Sequence, residues 1–198
     1  MELTVTTNIS LDGVMQGPGG SDEDRRGGFE RGGWALPLLD SQAADHINGV
    51  CGGATAFLFG RRTYEIFANY WPSDDLNAED ASIADPLNDG RKYVVSTTLD
   101  ELAWGPGELI SDNVVERIKE IKQGDGPELQ VHGSSVLLQT LLKHGLVDYM
   151  QVIIMPCVLG TGKKLFGEGV AATGMKVVEV KTTPNGVVIA RYEPGEAI

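Results

Sequence analysis

Four short stretches of the chain pair glycine with side chains that bind anions or hydroxylated ligands. Gly60-Arg61-Arg62-Thr63 places two guanidinium groups and a hydroxyl directly behind a glycine, where an apolar run gives way to a helical pattern. Ser96-Thr97-Thr98 ends another apolar run, and His132-Gly133-Ser134-Ser135 closes a third and opens a helix. Leu159-Gly160-Thr161-Gly162-Lys163-Lys164-Leu165 is the fourth. A helix N-terminus exposes unpaired N–H groups and the positive end of a dipole, so phosphates settle there. Two arginines on a first helical turn cost about 0.3–1 kcal/mol each unless an anion lies nearby. A ligand phosphate supplies that anion, and so does pairing with some of the 28 acidic residues; both readings stand. Hydroxyls at a strand end also simply cap turns, the glycines near Lys163 also simply make a turn, and His132 also reads as structural.

Other chemistries lack their residues. Cys51 and Cys157 have no C-x-x-C spacing and sit among apolar neighbours, as buried free thiols do. His46, His132 and His144 share no metal-ligand spacing, so no structural metal is expected. The chain has no G-x-S-x-G elbow, no G-x-G-x-x-G fingerprint and no Walker A sequence. What remains is chemistry carried by a cofactor.

The elements that must position these stretches alternate between strand and helix signals, which predicts an α/β fold. Strands are expected at Leu3–Thr7, Ala54–Phe59, Lys92–Ser96, Leu109–Ile110, Glu128–His132 and Val147–Met155. Helices are expected over Leu38–Val50 with Gly52-Gly53 as the stop, from Gly60 to Tyr70, and over Asn77–Asn88. Two more follow: one capped by Ser111 or Asp112 with a stripe of Val114, Val115, Ile118 and Ile121, and one over Val136–His144 carrying Val136, Leu137, Leu141 and Leu142. Gly145 ends the last helix, and two alternating runs around Thr183-Pro184-Asn185-Gly186 form a closing hairpin. The segment Gly13–Gly33 is rich in glycine and charge, and its part from Gly17 to Gly33 reads as a lid or as disorder.

Length and composition set the frame. At 198 residues with 41% hydrophobic and 22% charged residues, one domain over residues 1–198 is expected, with a core large enough to need no disulfide. A formal charge of −12 without a basic cluster argues against nucleic acid as a partner. No apolar run is long enough for a membrane span, and the N-terminus has no basic, cleavable leader, so a cytoplasmic protein is expected.

Taken in order, several pieces resemble the dihydrofolate reductase superfamily. They are Asn8-Ile9-Ser10-Leu11-Asp12-Gly13, Leu58 to Glu65, Tyr93 to Leu99, Val131 to Ser134 and Pro156 to Phe166, and together they span nearly the whole chain. The nearer resemblance is to stand-alone homologues of the C-terminal reductase domain of the bifunctional riboflavin-biosynthesis deaminase–reductase. It implies a dihydrofolate reductase-like three-layer α/β/α fold, with a mostly parallel sheet and a C-terminal antiparallel hairpin, and NADPH along the strand ends. Arg61, Arg62 and Thr63, behind Gly60, would hold the adenosine-side phosphates, including the 2′-phosphate. Ser96, Thr97 and Thr98 would serve the adenosine side, and Gly133, Ser134 and Ser135 the pyrophosphate. Asp12 and Gly13 would face nicotinamide and substrate beside Leu159 and Gly160, with a donor or water near Asp12 as the proton source. The implied activity is NADPH-dependent reduction of a small substrate: pterin-like, ribosylaminopyrimidine-like (as for a 5-amino-6-(5-phosphoribosylamino)uracil reductase) or carbonyl. Homodimers joined through the late strands are common among such proteins. Two departures stand out. Asp40 and Asp45 lie on the first long helix without the motif of a pterin-binding acid, and no deaminase zinc motif is present. A non-catalytic nucleotide- or small-molecule-binding protein on the same fold is the alternative.

Overall fold

The computed structural model describes residues 1–52, 56–76, 78–126 and 128–198. Eight strands form one sheet in the order β4-β3-β2-β5-β1-β6-β8-β7. The strands are β1 (Glu2–Ser10), β2 (Ala56–Gly60), β3 (Arg91–Val95), β4 (Gly107–Ile110), β5 (Glu128–His132), β6 (Tyr149–Met155), β7 (Thr173–Thr182) and β8 (Val188–Ala197). The contacts among β1 to β6 are parallel, whereas β8 runs antiparallel to both β6 and β7. The helices are α1 (Ser41–Gly52), α2 (Arg61–Tyr70), α3 (Ala78–Asp89), α4 (Val114–Lys122) and α5 (Ser135–Lys143).

Alternation along the strands separates the two faces. Leu3, Val5, Leu58, Leu129 and Val131 point to one side and pack against Ile118 and Ile121 of α4 and Leu137, Leu138 and Leu141 of α5. Burial of each such leucine contributes about 1.5–3 kcal/mol relative to exposure. On the other side, Phe57, Phe59 and Val94 meet Tyr64 of α2, Leu87 of α3 and Trp104. A second cluster on that side joins Val14, Phe29 and Trp34 to Ile153, Met155 and Ile189. This is the expected three-layer α/β/α arrangement.

Several boundaries move for local reasons. The first helix starts at Ser41 rather than Leu38, because an Asp40 carboxylate oxygen accepts the Ala43 N–H at 2.9 Å and caps it; Leu36–Leu38 is a separate 3-10 turn. The expected stop at Gly53, the strand start at Ala54 and Thr55, and the helix start at Asn77 lie outside the described residues. Neither Ser111 nor Asp112 caps α4: Asn113 holds that place in the left-handed region, which asparagine tolerates, and makes no side-chain cap bond. Val136 is 67% exposed, so the buried stripe of α5 is Leu137, Leu138, Leu141 and Leu142. β6 begins at Tyr149, and the hairpin strands run longer than their alternation suggests. Cys51 is a buried free thiol, while the free thiol of Cys157 is only partly buried.

The Gly13–Gly33 segment is neither loose nor disordered. Gln16 Nε2 donates to the carbonyls of Asp24 (3.2 Å) and Arg26 (2.9 Å), and Trp34 Nε1 donates to the Gln16 carbonyl at 2.8 Å. Gly32 packs so closely that a Cβ there would lie 2.4 Å from the Ser21 carbonyl oxygen. Among the described residues no helix is long and apolar enough to cross a membrane.

Candidate functional site

Parallel strands deliver their carboxyl ends to one edge, which is where open α/β sheets bind ligands. Here β3, β2, β5, β1 and β6 are consecutive neighbours. Their ends present, in that order, Ser96–Thr98, Gly60–Thr63, Gly133–Ser135, Asp12 and Leu159–Gly160. Every stretch singled out in the sequence therefore falls on one edge. Four strand spacings make it about 19 Å long.

The centre of the edge is a joint between two helices on opposite faces of the sheet. Gly133 and Ser134 are both left-handed, with φ of 65° and 61°. That double turn swings the Ser134 hydroxyl onto β2. Its oxygen accepts the Gly60 N–H at 2.9 Å and lies 2.8 Å from the Thr63 hydroxyl. A Cβ at Gly60 would lie 2.9 Å from Ser134 Oγ, so a larger residue there pushes that hydroxyl off the joint. Neither α2 nor α5 has a side-chain cap. Two helix N-termini thus stand side by side with their first-turn amides uncapped by side chains, and Ser135 adds a buried hydroxyl without a protein partner.

The Asp12 end is ordered differently. Its carboxylate accepts bonds from Ser10 Oγ (2.7 Å), Leu159 N–H (3.0 Å) and Gly160 N–H (2.8 Å). The Ser10 hydroxyl, aided by the two amides, lowers its pKa to about 2. Asp12 is therefore ionised at neutral pH and does not itself donate a proton. Its position clamps the turn after β1 to the turn after β6.

At the other end, Arg61 Nη1 lies 2.9 Å and Arg62 Nη1 3.1 Å from the two oxygens of Glu65. Glu65 is three and four residues on, so the sequence carried this signal as helical i,i+3 and i,i+4 spacing. Ser96 is buried, and its oxygen accepts the N–H groups of Thr98 and Leu99, both at 3.1 Å. That is turn capping, and it leaves Thr97 and Thr98 exposed beside it.

Just past Gly160, which Asp12 holds, a cavity of about 380 Å³ is lined by Gln16, Arg26, Phe29, Thr161, Gly162 and Lys163 among others. Gln16 and Arg26 were not singled out in the sequence, because nothing in their local spacing marks them. Folding brings them to Lys163 through the Lys163 N–H bond to Gln16 Oε1 (2.9 Å). Burial, reinforced by Arg26, lowers the Lys163 pKa. Arg26 itself is ion-paired with Asp24.

His132 and Cys51 sit 3.8 Å apart without forming a nucleophile–base pair. Burial raises the thiol to about 12 and lowers the imidazole to about 4. His132 Nε2 also lies 2.9 Å from Gln130 Oε1, so the neutral ring carries its proton on Nε2 and donates it there. Among the described residues no group of three or more His, Cys, Asp or Glu side chains could hold a metal ion.

The family profile described as RibD C-terminal domain matches residues 2–189. The chain belongs to the RibD C-terminal domain family. Within reach of this RibD-type domain, an uncharacterized Bacillus subtilis protein, YyaP, is 27% identical over 184 residues, covering 93% of this chain and 90% of that one. A Shewanella sp. PV-4 protein assigned to riboflavin biosynthesis superposes with a TM-score of 0.74 at 21% identity, covering 99% and 100% of the two chains. Dihydrofolate reductase of Enterococcus faecalis, solved with NADP(H), gives 0.58 at 14% identity, covering 98% and 97%. The likeness to these structures establishes a dihydrofolate reductase-like fold for the RibD-type chain.

Proposed function

We propose that the chain is an NADPH-dependent reductase of a small heterocyclic or carbonyl compound, built as one domain over residues 1–198 and acting as a cytoplasmic homodimer. The observation that carries this reading is the joint at Ser134, which sets the bare N-termini of α2 and α5 together at the middle of a ligand-length edge. Paired amides and nearby guanidinium groups suit a cofactor with two phosphate centres. NADPH supplies the hydride when bound.

The chain's own residues do the rest. The amides of Ser134 and Ser135 bind the pyrophosphate over the Gly133 turn, whose own N–H is taken by the Thr6 carbonyl at 3.3 Å, and Arg61, Arg62 and Thr63 take the 2′-phosphate as the arginines exchange Glu65 for it. Ser96, Thr97 and Thr98 flank the adenosine. Asp12 holds Leu159 and Gly160 against the nicotinamide side and orients a water there, which delivers the proton that an ionised carboxylate cannot. Pterin- and ribosylaminopyrimidine-like compounds are the first substrates to try.

Calorimetry with NADPH and NADH tests the cofactor. NADPH is expected to bind more tightly, and Arg61→Ala/Arg62→Ala is expected to erase that preference with a loss of tenfold or more, about 1.4 kcal/mol. Absence of nucleotide binding sinks the reading. The low pKa of Asp12 favours a second one, a protein that binds nucleotide without turnover. It would show as tight NADPH binding with no oxidation across the substrate panel.

A further inference from the structure

The face of the sheet beneath α1 carries a polar strip between its two apolar clusters. Thr4 and Thr6 of β1 point there, with Gln130 of β5, Gln151 of β6 and Arg191 of β8 alongside. Strand register sets them in rows: Thr4 opposite Gln130, Thr6 opposite Gln151, and Gln151 opposite Arg191. Under the second half of α1 these residues line a cavity of about 370 Å³. It reaches Glu128, the first residue of β5, and so lies toward the amino ends of the strands. It shares no lining residue with the carboxyl-edge site.

Buried polar groups almost always find partners. Among the described residues, seven buried side-chain nitrogen or oxygen atoms have none within the protein, and four of them are here: Thr4 Oγ1, Thr6 Oγ1, His46 Nε2 and Arg191 Nε. Thr4 and Thr6 are only 4% and 7% exposed. Concentrating such atoms on a cavity of ligand size marks a surface made for an external partner.

The charges say what kind. Arg191 is the guanidinium of the lining, stacked 4.0 Å over the Tyr149 ring, and Asp45 and Glu128 are its carboxylates. Burial, partly offset by the neighbouring Gln151, keeps His46 below its ordinary pKa and therefore neutral. Two carboxylates disfavour an anion, and the guanidinium disfavours a cation. What fits is a neutral molecule with an acceptor for Arg191 Nε–H next to a donor for a threonine oxygen.

We propose that this cavity is a second binding site, for a small neutral ligand carrying a lactam or ureide group, a carbonyl beside an N–H. The proposal is independent of the reductase reading.

Calorimetry on the full chain would use uracil, hypoxanthine and allantoin as probes, with benzoate and benzamidine as charged controls. At least one neutral probe is expected to bind with one-to-one stoichiometry, and the controls are not. Thr6→Val and Arg191→Met should each weaken that probe at least tenfold, circular dichroism confirming the fold. Thr6→Val should also raise the Tm of the free protein, since it removes an unpartnered hydroxyl. Saturating NADPH should leave probe binding unchanged, as should Arg61→Ala/Arg62→Ala. Failure of every neutral probe, equal binding of benzoate, competition by NADPH, or full affinity in Thr6→Val would each overturn the site. A protein that binds no NADPH yet binds a probe would lose the reductase reading alone.

Discussion

Asp12 shows how one side chain changes role between sequence and fold. Its place after the first strand was legible, but the three donors that converge on it were not, because two come from residues 147 and 148 positions away. They lower its pKa to about 2 from an ordinary 3.8. A depressed carboxylate pKa stabilises the fold at all pH values above the unfolded value, and that contribution is lost as pH falls toward the folded one. Asp12→Asn should therefore flatten part of the acid unfolding curve between about pH 4 and pH 2. Identical acid curves for the two proteins would remove the clamp. Arg61 and Arg62 teach the converse: the residues and their Glu65 partner were all readable locally, and the free structure takes the ion pairs.

Elements meet at Ser134, and the meeting is long-range: Gly60 and Ser134 are 74 residues apart. Sequence placed the two strand-to-helix turns on separate units. Only the β2–β5 pairing, invisible to local patterns, makes them neighbours. Ser134→Ala would leave the Gly60 N–H without its acceptor, at a cost of about 1–3 kcal/mol. Ser134→Gly loses the same bond but relieves the left-handed backbone, a strain of about 1 kcal/mol, so it should be milder. Chemical denaturation should rank wild type above glycine above alanine, and an alanine variant as stable as wild type would show the joint to be idle. The missed caps have the same origin, since α4 begins on a left-handed Asn113 that no sequence spacing announces.

At the scale of the whole molecule, alternating patterns and glycine stops were enough for the α/β class and most element positions, while the three-layer order came with the family resemblance. The strand order was not local information. The sheet ends on β7, whose Val177, Val178 and Val180 are 55%, 47% and 52% exposed. An apolar edge strand invites pairing. Light scattering should give twice the 21.2 kDa chain mass, and Val178→Lys/Val180→Lys should return the monomer. A monomeric wild type would remove the dimer from the reading.

The glycine-rich segment from Gly13 to Gly33 bears on kinetics. One of its glycines, Gly32, is close-packed against the Ser21 carbonyl, whereas Gly13, Gly27 and Gly28 face open space and serve left-handed turns instead. If the segment stays fastened as Gln16 and Trp34 hold it, stopped-flow binding rates should rise linearly with ligand concentration, and saturation of the rate would reveal an opening step.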